Sequence, residues 1–305
     1  CENITKCRGT CCCYCDHGFI KGYIVITVYK AKSIIDKYLT QLDSEVILID
    51  ESSERIINHG LEATFPSPRF DNSAMDGFAV RSIDTLGASK KHPVSLKVIG
   101  MSSAGLPSNL TLNPGECIQC MTGASIPNSA DAVLMVEHTS GFSDNDYVQV
   151  FLETHAGKHI RKKGEEIQKG DPLISKGTRI TPSEIGTLAS FGLRKFSVVK
   201  KPQIAIFGTG DELIEPGETL DKGQVYNSNL YIFADLVKKI GGDVTMKNVV
   251  KDNKDSLNSF LSRALKTSDM IISSGGISMG RFDYVRDVFI DLGVKEHFWK
   301  VAQKP

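Results

Sequence analysis

Ser268-Asp-Met-Ile-Ile-Ser-Ser-Gly-Gly-Ile-Ser-Met-Gly-Arg-Phe-Asp-Tyr-Val-Arg-Asp287 decides the reading of this chain. The apolar run 270–272 feeds a Ser/Gly loop, and the loop feeds a segment with helical spacing. A strand–loop–helix junction of this kind aims backbone N–H groups at an anion, and the helix dipole favours the negative charge. Gly275 and Gly276 let a ligand approach the backbone closely. Ser278 adds a hydroxyl and Asp283 a carboxylate. The loop is neither Gly-x-x-x-x-Gly-Lys-Ser/Thr nor Gly-x-Gly-x-x-Gly, which weakens the common nucleotide readings. The competing reading is a Gly-rich turn that only connects two elements.

The same rhythm extends back through the last third. Residues 204–207, 244–250 and 270–273 read as strands. Phe233, Leu236, Val237 and Ile240 form a helical stripe ended by Gly241-Gly242. Leu257, Phe260, Leu261, Ala264 and Leu265 form a second stripe, and Val285, Val288, Phe289 and Leu292 a third. Strands alternating with helices of this length specify right-handed βαβ units and a largely parallel sheet.

Upstream the pattern changes. Val28, Ala31, Ile34, Ile35, Tyr38 and Leu39 carry the spacing of an amphipathic helix. From 65 to 150, β-branched runs at 94–99, 132–136 and 147–151 alternate with Gly, Pro, Asn and Asp clusters, the mark of a compact β domain. A second non-β stretch follows. Thr181-Pro-Ser-Glu184 joins an N-cap Thr, a Pro at the first helical position and a capping-box Glu. That helix is expected to stop at Gly192.

With 305 residues, 41% of them hydrophobic, the chain can bury the cores of two or three domains. Its 36 basic and 36 acidic residues cancel, which argues against a broad nucleic-acid surface. No apolar run approaches the roughly 18–20 residues that span a bilayer, so the sequence reads as soluble with no membrane partner, and its body, without the spread cysteines of a secreted disulfide domain, as cytoplasmic. Six of the eight cysteines, Cys1, Cys7, Cys11, Cys12, Cys13 and Cys15, crowd the start. They lack a zinc pattern with a matching second pair, so residues 1–22 are read as an atypical, disordered leader. Cys117-x-x-Cys120 falls between expected strands and reads as two partly buried thiols.

In an open α/β sheet, ligands bind beyond the carboxyl ends of the strands. Gly208-Thr209-Gly210-Asp211-Glu212 follows strand 204–207, and Ser274-Gly275-Gly276-Ile-Ser278 follows strand 270–273. Both loops are expected to converge. A carboxylate at Asp211 beside an anion-cradling loop suits a divalent cation such as Mg²⁺, which takes one or two carboxylates, waters and substrate phosphates. Three further clusters lie upstream: Phe70-Asp71-Asn-Ser-Ala-Met-Asp76-Gly77, Met121-Thr122-Gly123-Ala124 and Arg161-Lys-Lys-Gly164-Glu165-Glu166. Each alone reads as a solvated loop.

Taken in order, these blocks resemble the molybdopterin molybdenumtransferase family, which includes bacterial MoeA and the E domains of gephyrin and plant Cnx1. The resemblance rests on 70–79, 121–124, Ala130-Asp131-Ala-Val, 164–167, 177–186, 209–213, 273–280, Asp283-Tyr284 and Lys304-Pro305. It implies an α/β multidomain fold. An elongated mixed α/β first domain (23–62 and 153–195) would carry an inserted β domain (63–152). A doubly wound, MogA-like molybdopterin-binding α/β domain (196–305) would follow. The chain stops before the family's Gly-Lys-Pro continuation, so that last domain is expected to be incomplete.

The implied reaction inserts molybdenum from molybdate into adenylylated molybdopterin and releases AMP, with Mg²⁺ or another divalent cation. Carried over by position, Asp211, Ser278 and Asp283 are expected to be catalytic, with Glu165 and Asp211 on the metal. Asp71, Thr122, Asp131, Gly208, Thr209, Gly210, Ser274, Gly275, Gly276 and Ser278 would bind molybdopterin. The implied partners are a second copy in a homodimer, a MogA-like adenylyltransferase and a recipient molybdoenzyme. Two departures stand out: Gly164-Glu-Glu-Ile where Gly-Glu-Asp-Ile is usual, and Asn227-Ser-Asn-Leu230 where Asp-Ser-Asn-Arg is usual. Loss of that Arg removes a bidentate anion fork. Other readings are a gephyrin-like scaffold and an inactive molybdopterin-binding paralogue.

Overall fold

A computed structural model of the chain describes residues 18–20, 23–143, 145–276 and 284–303. They fall into two compact units, one made by Ile47–Phe196 and the other by the stretches on either side of it. Among the described residues, no helix is long and apolar enough to cross a membrane.

In the 47–196 unit, two segments distant in sequence run alongside each other. The N–H groups of Ile57, Ala63 and Ser67 donate to the carbonyls of Thr178, Asp171 and Ile167 at 3.0, 2.9 and 2.8 Å. Partner numbers fall as the chain advances, so the pairing is antiparallel. Short strands at Leu61–Glu62 with Pro172–Ile174, and Asn72–Ser73 with Ile160–Arg161, continue it. The stretch read as non-β therefore holds two short strands, too brief to show a period of two.

Between these segments lies a five-stranded sheet in the order Tyr147–Leu152, Ser89–Ser102, Glu116–Cys120, Gly77–Val80, Ala132–Met135. Phe78, Val80, Leu96, Leu134, Val148 and Val150 pack its core. Gly77 is demanded by a close approach, because a Cβ there would sit 1.9 Å from the Leu134 carbonyl oxygen. Cys117 and Cys120 lie on a strand, not between strands, and both are fully buried. Burial alone pushes the Cys117 thiol up to about 12. Burial also lifts Cys120, to about 11, against a hydrogen bond with Ser73. The helix Pro182–Ser190 starts as expected from Thr181, whose side chain and N–H both engage the Glu184 carboxylate.

In the other unit, Val28–Tyr38 is helical, capped by the Thr27 hydroxyl, which accepts from the Lys30 N–H at 3.2 Å. The last third forms a three-stranded parallel sheet ordered Asp243–Val250, Gln203–Thr209, Met270–Ser273. Helix Asn229–Lys239 packs Leu230 and Val237 against Ile204 and Ile206. Helices Lys254–Thr267 and Val285–Asp291 pack Leu257, Phe260, Leu261, Val285 and Val288 against Ala205 and Phe207. Alternate residues of one strand thus feed two separate cores, as the period of two requires. Each strand runs in the same direction, so the carboxyl ends of all three share one edge.

Candidate functional site

That shared edge gathers three loops. Gly208, Thr209 and Gly210 end the central strand, Asp252 follows Asp243–Val250, and Ser274, Gly275 and Gly276 follow Met270–Ser273. The expected convergence of the 208–212 and 274–276 loops is present. The Ser274 N–H donates to the Phe207 carbonyl at 2.8 Å, the Thr209 hydroxyl donates to Asp252 Oδ1 at 3.2 Å, and Asn229 Nδ2 donates to Ser274 Oγ at 2.8 Å. Gly276 adopts φ +73°, and a Cβ on it would lie 2.4 Å from Thr209 Cγ2 and 2.5 Å from Val285 Cγ2. Asp211 and Glu212, which continue the first of these loops, are exposed. Ser278 and Asp283 lie outside the described residues.

Gly208 faces Leu213 and Leu230, 3.3 and 3.7 Å from where a Cβ would stand. Leu230 is fully buried in the core beneath it, so it presents no side chain to the cradle. Asn227 is 2% exposed; its Oδ1 accepts the Leu230 N–H at 3.3 Å and its Nδ2 donates to Glu215 at 3.2 Å.

The 47–196 unit holds a second polar cluster. Asp71 accepts from Lys162 Nζ at 2.9 Å and from the Lys163 N–H at 2.8 Å. The Lys162 hydrogen bond, then that of the Lys163 N–H, holds the Asp71 carboxyl below its ordinary value. Asp76 Oδ1 accepts both the N–H and the hydroxyl of Thr122, at 2.7 and 2.9 Å, and these bonds, the N–H first, depress its pKa. Glu165 accepts the Lys162 N–H at 2.7 Å. Asp131 takes the N–H and hydroxyl of Ser82 on its two oxygens at 2.6 and 2.9 Å, which fastens a turn.

Four members of these clusters escaped the sequence reading as site residues: Asp252, Asn229, Asp76 and Lys162. The strand-end rule would have reached Asp252, because it lies two residues past Val250. Asp76 needed its partner Thr122, 46 positions away.

Oxygen donors are what Mg²⁺ takes, and it needs only one or two carboxylates when substrate phosphates complete its shell. Among the described residues no group of three or more His, Cys, Asp or Glu side chains is placed to hold a metal. The loops of this edge carry three carboxylates, Asp211, Glu212 and Asp252, all oxygen donors of the kind Mg²⁺ takes.

The chain is similar to known proteins along most of its length. Residues 26–192 match the MoeA N-terminal region (domain I and II), and residues 205–305 match a probable molybdopterin binding domain. It is 36% identical over 273 residues to a molybdopterin molybdenumtransferase of Nostoc sp., covering 90% of this chain and 62% of that protein. It is 35% identical over 282 residues to the Bacillus subtilis enzyme of the same name, covering 92% and 66%. The chain therefore spans less than two thirds of the length of these curated relatives. The structure resembles that of a molybdopterin biosynthesis MoeA protein from Pyrococcus horikoshii with a TM-score of 0.76 at 32% identity, covering 88% of this chain and 67% of that one. With both stretches matched and the parallel-sheet edge built as described, the chain belongs to the molybdopterin molybdenumtransferase (MoeA) family.

Proposed function

We propose that this chain carries the molybdopterin-binding part of an enzyme that inserts molybdenum into adenylylated molybdopterin and releases AMP. The observation that supports this most is the meeting of the 208–212, 252 and 274–276 loops at one carboxyl edge, inside the stretch similar to molybdopterin-binding domains. Backbone N–H groups and small residues at such an edge suit phosphate oxygens. Asp211, with Asp252, would hold Mg²⁺. Bound there, the ion would neutralise charge developing on the phosphoanhydride. In this reading Ser274 and Asn229 orient the phosphate-facing loop. Molybdate is the second substrate.

The same reading takes 63–152 as a β domain inserted into a first domain of 23–62 and 153–195, with a doubly wound molybdopterin domain from 196. The antiparallel pairing of 57–67 with 167–178 and the two-sided parallel sheet favour it. A homodimer in the cytoplasm, supplied by an adenylyltransferase and emptied by a molybdoenzyme, completes the proposal.

The test is AMP release from adenylylated molybdopterin with Mg²⁺ and molybdate, by this chain and by a form extended to the relatives' full length. Release that Asp211→Asn abolishes, with the fold retained, supports the assignment. No release from either folded form would sink the enzyme and leave a pterin-binding paralogue.

A further inference from the structure

Thr209 sits where all three loops of the cradle meet. It is 8% exposed, so its side chain faces protein and not solvent. Its two γ substituents do different things. The hydroxyl donates to Asp252 Oδ1 at 3.2 Å, and the methyl lies where only a glycine at 276 can pass. Val285 closes on the same point, 2.5 Å from a would-be Cβ of Gly276. A β-branched side chain has restricted χ1 freedom, and here the Thr209 methyl and Val285 flank the point that a Gly276 Cβ would occupy. With the methyl so placed, the hydroxyl is aimed at the loop that follows Asp243–Val250. Its proton is committed to Asp252.

We propose that Thr209 is a positioning residue: it acts on the cradle through Asp252, coupling the 274–276 loop to that carboxylate, and does not itself donate to the ligand. The inference rests on the reading of this edge as the phosphate-binding site. It has a consequence that simple ligation lacks: Thr209 and Asp252 form one functional unit, so removing both does no more harm than removing one.

Three single variants of the chain and one double variant test it; the single ones are Thr209→Val, which keeps the shape and loses the donor, Thr209→Ser, which keeps the donor, and Asp252→Asn. The first readout needs no ligand. The Asp252 side-chain ¹³Cγ resonance is expected to move in Thr209→Val and to stay near the parent position in Thr209→Ser. The Thr209 methyl resonance is expected to move in Asp252→Asn, which serves if Thr209→Val fails to fold. Unmoved resonances in the folded variants would overturn the proposal.

The second readout is binding of AMP with Mg²⁺ by calorimetry. Thr209→Val is expected to weaken it about tenfold, as loss of a hydrogen bond to a charged group does. Thr209→Ser should recover most of the affinity, and the Thr209→Val/Asp252→Asn double variant should bind no worse than its weaker parent. Additive losses would overturn the coupling. Moved resonances in a parent chain that binds no AMP would uphold the positioning role and reject the phosphate-site reading.

Discussion

One carboxylate oxygen, Asp76 Oδ1, takes both donors of Thr122, the N–H at 2.7 Å and the hydroxyl at 2.9 Å. The Met121–Ala124 turn is thereby tied to the end of the Asp71–Asp76 loop. Asp71, five residues earlier, is tied by Lys162 and Lys163. Both acids are held below the ordinary carboxylate value, Asp76 by the Thr122 N–H and then its hydroxyl, Asp71 by Lys162 and then the Lys163 N–H. A folded-state pKa that is depressed contributes stability above the unfolded value of about 3.9, and that contribution is lost as pH falls through the folded value. Asp71→Asn and Asp76→Asn are therefore expected to lower the urea midpoint at pH 7, and the gap from the parent should close as pH falls below about 3.9 and through the depressed folded values. A gap that stays constant down to pH 2 would show that neither carboxylate charge matters. Both groups are well exposed, so solvent screening keeps each effect small.

Leu230 offers a sharper stability test. It is fully buried among Ile204, Ile206 and Val237, as the second residue of the Asn229–Lys239 helix. Leu230→Ala is expected to cost about 2–5 kcal/mol in chemical denaturation, the range for truncating a buried leucine. A cost under about 1 kcal/mol would mean the side chain is not packed as described. Because this leucine fills the core, that position offers no side chain to the cradle.

Much of this architecture was legible in the chain because it is local. Thr181 and Glu184 announce a helix start through groups only three residues apart, and the structure places the capping box there. The stripes at 233–240 and 257–265 declare their helices through the 3.6-residue period. Strands built on an unbroken apolar run, such as Gln203–Thr209 with its Ile-Ala-Ile-Phe at 204–207, are visible as runs. Ser89–Ser102 was not, beyond its 94–99 core. Lys90, Lys91, His92 and Pro93 break the alternation, and the pairing with Tyr147–Leu152 jumps there, from Val94 opposite Val150 to Ser89 opposite Leu152. A bulge absorbs the proline that a regular ladder could not hold. The site was less legible. Gly275 and Gly276 stand out as letters, whereas Asp252 and Asn229 are ordinary residues until the parallel strands bring their ends together.

Gly276 can be tested against a glycine of similar backbone. Gly276 has φ +73° and no room for a Cβ, while Gly293 has φ +81° and open space around it. Gly293→Ala is expected to cost about 1 kcal/mol from the left-handed backbone alone. Gly276→Ala should cost about 1–3 kcal/mol more, because the methyl must displace Thr209 and Val285. Thermal unfolding of the two variants decides the point; equal losses would show that the 274–276 loop yields freely and is not pressed against Thr209.

The two sheet thiols give the last prediction. Cys117 packs with Phe78 and Leu96, and Cys120 lies on the opposite face near Ala79 and Ala124. The thiolate is the reactive form, and burial holds Cys117 and Cys120 up to about 12 and about 11. Iodoacetamide at pH 8 should therefore leave the peptide containing both unlabelled in the folded chain and alkylate it fully in urea. Mass spectrometry of the digested protein separates these two from the six cysteines at the start. Rapid labelling without denaturant would mean that the Glu116–Cys120 strand opens readily. Because that strand hydrogen-bonds on both sides, to Ser89–Ser102 and to Gly77–Val80, such opening would also loosen the anchor of the Asp71–Asp76 loop. Protection of the thiols and retention of the Asp76–Thr122 tie should accordingly be lost together as urea is raised.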